Sequence, residues 1–181
     1  MPGPVFIEGE RVTLRPLEEE DLEFCVAHLN DPDVRRGLAR GDPVNSHQEE
    51  EWFEGTNEDD STVVLAVAVD GAIAGTTGLH DLNERFGTAE LGYWLAPDFH
   101  GQGYATEAAE LVVDYAFAER RLHKVYAHVF EFNDASRRVI EKVGFQREGV
   151  HREQAYLRGD YVDIERYGLL EQEWQAGESR E

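Results

Sequence analysis

The stretch LGYWLAPDFHGQGYATEA, residues 91–108, carries the pattern on which the fold depends. Alternating apolar residues lead up to Leu95, and glycines at 101 and 103 then precede an amphipathic helix. Glycine lets the backbone approach a ligand closely and adopt a positive φ. A helix start presents free N–H donors and about half a positive charge. The stretch therefore predicts a strand, an anion-binding turn and a helix, unless the turn is merely tight and binds nothing.

Hydrophobic periodicity and turn residues predict the remaining elements around this stretch. The expected strands cover residues 5–17 (a pair or a bent strand), 62–69, 72–79, 88–95, 124–130, 145–154 and 161–170. The expected helices cover residues 18–29, a segment from His47 capped by Ser46 with Glu49, residues 103–121 and residues 133–143. The predicted class is α/β, with a mixed, mostly antiparallel sheet of about six or seven strands and about four helices. Only strands 88–95 and 124–130 are expected to pair in parallel.

Composition limits the possible partners. The 181 residues include 38 acidic and 17 basic side chains, for a net charge of −21. Such a charge disfavours binding to nucleic acids and to anionic membranes, and it suits a salt-rich, halophile-like acidic proteome.

We expect a single domain over residues 1–175 and a frayed tail over 176–181. We also expect a cytoplasmic location, because no secretion signal is visible and Cys25 is the only cysteine.

Known phosphate motifs fit the glycine stretch unequally. A P-loop needs Gly-Lys-Ser/Thr, which is absent, and a dinucleotide fingerprint fails at its third small residue, where Thr106 stands. The pattern His100-Gly101-Gln102-Gly103-Tyr104-Ala105 instead resembles the Gln/Arg-x-x-Gly-x-Gly/Ala loop of the GCN-related N-acetyltransferase (GNAT) superfamily. With RVTLRPL at 11–17, NDASRRVIEKVGF at 133–145 and GDYVDIERYGLLEQEW at 159–174, it is most similar to the branch that acetylates N-termini of ribosomal proteins.

This resemblance implies a GNAT-like fold and an enzyme that transfers acetyl from acetyl-coenzyme A (acetyl-CoA) to a primary amine by direct attack in a ternary complex. The implied cofactor-binding residues are Leu95, Ala96, His100, Gly101, Gln102, Gly103, Tyr104, Ala105, Thr106, Asn133 and Arg138. The pyrophosphate would lie on the amides that follow Gly101, and the backbone near Leu95 and Ala96 would polarise the thioester. Asn133 is equally well placed to cap its helix. Arg137 and Lys142 are further candidates for the phosphates.

Two side chains are candidates for proton chemistry. By the resemblance, Ser136 would donate a hydrogen bond to the departing sulfur, and Glu90 could accept the amine proton through water. Tyr104, Tyr126 and Tyr156 are alternative acids that the sequence does not rank. His80 and His128 are expected to be hydrogen-bonded histidines in the core or at its rim rather than catalysts. The aromatic side chains of Trp52 and Phe53 are expected to pack in the core. No spacing of histidines predicts a metal site.

Three functions stay open at this level. The first is acetylation of a protein N-terminus such as that of a ribosomal protein. The second is the same reaction on a small amine such as a polyamine, an aminoglycoside or an amino acid. The third is a non-catalytic module that binds acyl-CoA. A homodimer is compatible with each of them.

Overall fold

The computed structural model describes residues 3–178, and this part of the chain forms eight strands and six α-helices. The strands are β1 (Ile7–Glu8), β2 (Val12–Pro16), β3 (Val63–Val69), β4 (Ala72–Asn83), β5 (Thr88–Leu95), β6 (Lys124–Phe130), β7 (Gln146–Leu157) and β8 (Asp160–Leu170). The helices are α1 (Leu22–Leu29), α2 (Pro32–Gly37), α3 (Ser46–Glu58), α4 (Tyr104–Ala118), α5 (Asp134–Val143) and α6 (Glu171–Glu178).

All eight strands belong to one sheet, in the order β1-β2-β3-β4-β5-β6-β8-β7. Neighbouring strands are antiparallel except for β5 and β6, which pair in parallel as expected. The connection between those two strands is α4, because parallel neighbours need a crossover. The mixed α/β class is therefore confirmed.

The sheet is covered on both faces. The larger hydrophobic core lies under α4 and α5 and includes Val112, Val125 and Ile140. The smaller core lies under α1 and α3, around Leu22, Cys25 and Ala66. Because side chains alternate along a strand, successive residues of β5 and β6 face opposite sides of the sheet. This alternation decides on which side of the sheet each candidate residue acts.

The structure corrects several local predictions. There are eight strands and six helices rather than about six or seven and about four. Residues 5–17 form the strand pair that was one of their two expected forms, whereas α2 and α6 were not foreseen. The cap of α3 is Asn45, not Ser46, and its box partner is Gln48, not Glu49. The predicted helix 18–29 begins as a 3-10 turn, Glu19–Asp21, and becomes α-helical only at Leu22.

The predicted tail over 176–181 falls partly on α6, which extends to Glu178, while residues 179–181 lie outside the described part of the chain. No helix among residues 3–178 combines the length and the apolar character that a membrane crossing requires.

Candidate active site

The glycine turn leads directly into the start of α4. Gly101 and Gly103 have φ angles of 71° and 87°, in the left-handed region that favours glycine, and Gly103 is the N-cap residue of α4. A side chain at Gly103 would meet the Arg11 guanidinium, with Cβ only 3.0 Å from Nη2. The first amides of α4 have no partner inside the helix, so they are free to bind an anion. The turn therefore leaves the backbone at the start of α4 open to close approach by an anion.

Arg11 adds a positive charge to this helix start, and the sequence analysis missed its role. Its Nη1 donates to the Gln102 carbonyl at 2.8 Å, its Nε lies 3.2 Å from Glu107 Oε2, and the guanidinium lies 5.1 Å from the centre of the Tyr104 ring. Glu107 Oε1 also accepts hydrogen bonds from the amides of Arg11 and Val12. Burial alone would raise the pKa of Glu107, but these bonds outweigh it and lower the pKa. The carboxylate thus fastens β2 to α4.

His100 occupies the position at which the family pattern has Gln or Arg. Its Nε2 donates to the Leu95 carbonyl at 2.8 Å and so ties the loop to the end of β5. Gln102 Nε2 donates to the Asp98 carbonyl in the same loop. Both side chains therefore brace the turn, and binding of a ligand by the turn depends on its backbone.

Strands β5 and β6 pair over only three positions, from Thr88 opposite Lys124 to Glu90 opposite Tyr126. Beyond Glu90 the two strands separate and leave a gap between them, while β6 stays paired with β8 along its whole length. The Ala96 amide donates to the Ala74 carbonyl, so it is not free to polarise a thioester. By the alternation of antiparallel pairs, Leu95 is a non-hydrogen-bonded partner of Gly75, and its amide faces the gap. Leu95 is thus the better backbone donor.

On the α5 side of the gap, Ser136 meets a tyrosine that the sequence analysis did not consider. The Tyr93 hydroxyl lies 2.8 Å from Ser136 Oγ and 3.3 Å from the Ser136 carbonyl oxygen. Burial raises the pKa of Tyr93 to about 12, although the bond to Ser136 opposes this shift. Asn133 caps α5 by accepting the Ser136 amide, as one of the two earlier interpretations expected.

On the opposite side of the gap, Glu90 is paired with a histidine. Glu90 Oε1 lies 2.8 Å from His128 Nδ1, and both side chains are partly exposed. His128 was expected to be a satisfied histidine in the core or at its rim, and the structure places it at the rim, partly exposed and hydrogen-bonded to the candidate base. Burial raises the pKa of Tyr126, and the nearby charges of Glu90 and Asp81 add to the shift.

The remaining candidates occupy other positions. Arg137 is held by Asp134 and by Glu165 at 2.9 Å, whereas Arg138 is exposed on α5. Tyr156 is 64% exposed beside Tyr161 at the tip of the β7–β8 hairpin. Phe53 packs against the smaller core as expected, but Trp52 is 41% exposed, which corrects its assignment to the core.

A cavity of about 600 Å³ is lined by Trp52 and Phe53 and by the N-terminal end of β3. The gap lies instead beyond the last β5–β6 pair, toward the C-terminal ends of those two strands. Within residues 3–178, no three His, Cys, Asp or Glu side chains are grouped so as to hold a metal ion.

Comparisons with known proteins agree with this geometry. The profile described as "Acetyltransferase (GNAT) domain" matches residues 11–146. A Bacillus subtilis protein named "Putative ribosomal N-acetyltransferase YdaF" is 30% identical over 176 residues, covering 93% of this chain and 96% of the relative. Spermidine N(1)-acetyltransferase of Escherichia coli K12 is also 30% identical, over 166 residues, covering 91% of this chain and 89% of the relative.

Among solved structures, spermidine N-acetyltransferase from Vibrio cholerae in complex with CoA and spermine superposes with a TM-score of 0.87 at 26% identity. The superposition covers 92% of this chain and 99% of the Vibrio cholerae chain. GNAT acetyltransferases use acetyl-CoA, and this structural neighbour contains CoA. The chain belongs to the GNAT family of acetyltransferases and is an acetyl-CoA-dependent N-acetyltransferase.

Proposed function

We propose that the protein acetylates the N-terminal α-amine of a protein, such as a ribosomal protein, by direct attack of the amine on acetyl-CoA. Acetyl-CoA supplies the activated acetyl group. The amides at the start of α4 and Arg11 would hold its pyrophosphate, and the Leu95 amide would stabilise negative charge on the carbonyl oxygen. Ser136 would donate a hydrogen bond to the leaving sulfur. The non-catalytic alternative is set aside because the family is one of acetyltransferases.

The charge around Glu90 is the observation that carries the choice of acceptor. The Arg166 guanidinium lies 4.1 Å from the centre of the neighbouring Tyr126 ring. Glu148, on the same side of the sheet, is paired with Lys124 at 2.5 Å and lies 3.7 Å from Arg166. A polyamine carries several positive charges and needs several free carboxylates, and Glu148 is not free because it is paired with Lys124. A peptide needs only one group near its single amine, and we therefore favour a peptide acceptor.

The pKa of the acceptor amine also favours a protein N-terminus. An α-amine has a pKa of roughly 8 and is partly neutral at pH 7.5, while a lysine amine near 10.4 is not. A partly exposed acid–base pair such as Glu90 and His128 is a sufficient base for the first amine. YdaF, the relative named for ribosomal N-acetylation, matches this chain over almost its whole length.

Polyamine acetylation is the second candidate, because two spermidine acetyltransferases are among the relatives and the net charge of −21 attracts cations. The deciding experiment measures thiol release from acetyl-CoA with three kinds of acceptor. These are lysine-containing peptides that start with Ser or Ala, N-acetylated copies of the same peptides, and spermidine. We expect turnover with the free N-termini and none with the blocked copies. Turnover with spermidine alone would select the second candidate.

A further inference from the structure

The Glu90–His128 hydrogen bond spans the point at which β5 and β6 separate. Glu90 is the last residue of β5 that pairs with β6, where it lies opposite Tyr126. His128 follows two positions later on β6, on the same face, and the Glu90 Oε1–His128 Nδ1 distance is 2.8 Å. The side chains are 26% and 30% exposed, so a molecule that enters the gap can reach them.

The bond fixes the tautomer of the histidine. An ionised carboxylate can only accept a hydrogen bond, so Nδ1 of His128 must carry the donated proton. In the neutral ring, Nε2 then has a free lone pair. An imidazole is also a stronger base than a carboxylate, with reference pKa values near 6.5 and 4.3, and it is better matched to an amine near 8.

We propose that His128 takes the proton of the attacking amine at Nε2 and that Glu90 orients His128 instead of acting as the base. The inference rests on the proposed acetyl transfer and names the base in that reaction. The neutral amine nitrogen forms the C–N bond, the C–S bond breaks, and its electron pair leaves with the sulfur. One N–H proton passes to His128 Nε2, directly or through one water molecule.

Both acidic and basic groups surround the Glu90–His128 pair. The titratable and charged groups on the neighbouring strands include His80 and Asp81 on β4, Glu90 on β5, Lys124 and Tyr126 on β6, His151 and Glu148 on β7, and Arg166 on β8. The His151 ring stands at 90° to the His128 ring, with centroids 5.7 Å apart. The positive charge of Arg166 opposes the negative charges of Glu90 and Asp81 around Tyr126.

His128→Asn and Glu90→Gln separate the two roles. The asparagine Nδ2 can replace Nδ1 as donor to Glu90 but supplies no base. We expect His128→Asn to lower kcat/KM for the amine about 100-fold, the lower range for a general base, with an unchanged Kd for acetyl-CoA. The acid limb of its pH–rate profile should move to lower pH or disappear. Glu90→Gln should lower kcat/KM less, because the imidazole remains.

His47→Asn is the matched control, because His47 also faces a carboxylate, that of Glu51 at 3.5 Å on α3. It should change neither the rate nor the profile. Added imidazole should restore part of the activity of His128→Ala, which a pair that only fastened two strands would not allow. In the wild type, ring-nitrogen NMR should show Nδ1 protonated and Nε2 unprotonated above pH 8.

Several results would overturn the inference. One is a His128→Asn variant with the wild-type rate and profile, together with a Glu90→Gln variant that loses activity, since Glu90 would then be the base. A second such result is an NMR spectrum in which neutral His128 carries its proton on Nε2 instead of Nδ1. A wild-type enzyme that acetylates none of the peptides or small amines would refute the proposed function and the inference with it. If only spermidine reacts, the same variants test His128 on that acceptor.

Discussion

At the scale of single residues, the Tyr93–Ser136 contact decides whether Ser136 can help the sulfur to leave. If the Tyr93 hydroxyl donates to Ser136 Oγ at 2.8 Å, the serine hydrogen is free to point at the thiol. With its pKa raised to about 12 by burial, Tyr93 keeps its proton up to about pH 11 and stays a donor. The two hydroxyls then form one relay.

We predict that Tyr93→Phe and Ser136→Ala each lower kcat about 10-fold, the value of one hydrogen bond of about 1.4 kcal/mol. The Kd for acetyl-CoA should not change, and the double variant should be no worse than Ser136→Ala, because the two groups act as one unit. Steady-state kinetics and calorimetric titration with acetyl-CoA measure both quantities.

Tyr115→Phe is the control for the loss of a phenol, since Tyr115 lies on α4 and packs edge-on against Phe6. It should leave kcat unchanged. Losses that multiply in the Tyr93→Phe, Ser136→Ala double variant would show that the two hydroxyls act independently. Full activity in Ser136→Ala would reduce that residue to a first-turn position of α5.

At the scale of elements, the start of α4 is the part of the site that depends least on side chains. Gly103→Asp would place a carboxylate at the helix N-terminus and bring it against Arg11, whose Nη2 lies 3.0 Å from the Cβ position. Repulsion between this carboxylate and a phosphate about 5 Å away is worth about 3 kcal/mol at an effective dielectric constant near 20. We therefore predict a Kd for CoA weakened about 100-fold, measured by calorimetry.

Gly159→Asp is the matched control because Gly159 also has a positive φ, 101°, and open space around its Cβ position, but lies in the β7–β8 turn. The two variants should have similar backbone strain, so a loss of affinity confined to Gly103→Asp excludes a general effect of that strain and assigns the loss to the start of α4. Wild-type affinity in Gly103→Asp would mean that the pyrophosphate is bound elsewhere.

Sequence patterns predicted the elements whose signals are local. The strand Thr88–Leu95, the helix Asp134–Val143 and its cap residue Asn133 all lie where they were expected. Patterns failed where two local signals compete, as at the start of α3, where Asn45 and Ser46 are both good caps. They also missed α2, because a six-residue helix has too few turns to show a period.

The contacts that build the site are separated by long stretches of sequence and could not be foreseen from local patterns. Glu90 and His128 are 38 positions apart, Tyr93 and Ser136 are 43 apart, and Arg11 and Glu107 are 96 apart. The parallel pairing of β5 and β6 was predicted, but alternation alone does not fix its register, and the register is what brings His128 to Glu90. Single residues were therefore identified without their partners.

At the scale of the whole molecule, the net charge of −21 opposes the compact state. Part of the cause is visible on α3, where exposed Glu50, Glu54 and Glu58 recur every four positions along one helix. Like charges at this spacing destabilise a helix by about 0.2–0.5 kcal/mol per pair at low salt. The last of them also lies at the negative end of the helix dipole.

We predict that the urea midpoint of unfolding rises with KCl and that most of the rise occurs below about 1 M, because the Debye length falls from about 10 Å at 0.1 M to about 3 Å at 1 M. Replacing Glu50, Glu54 and Glu58 together by Gln should stabilise the protein by about 0.5–1 kcal/mol at low salt and flatten its salt dependence. A midpoint that stays constant below 0.5 M and rises only at molar salt, more with sulfate than with chloride, would instead indicate strengthened burial of apolar surface. In that case the acidic surface is not what limits the stability, and the triple variant should follow the wild type at every salt concentration.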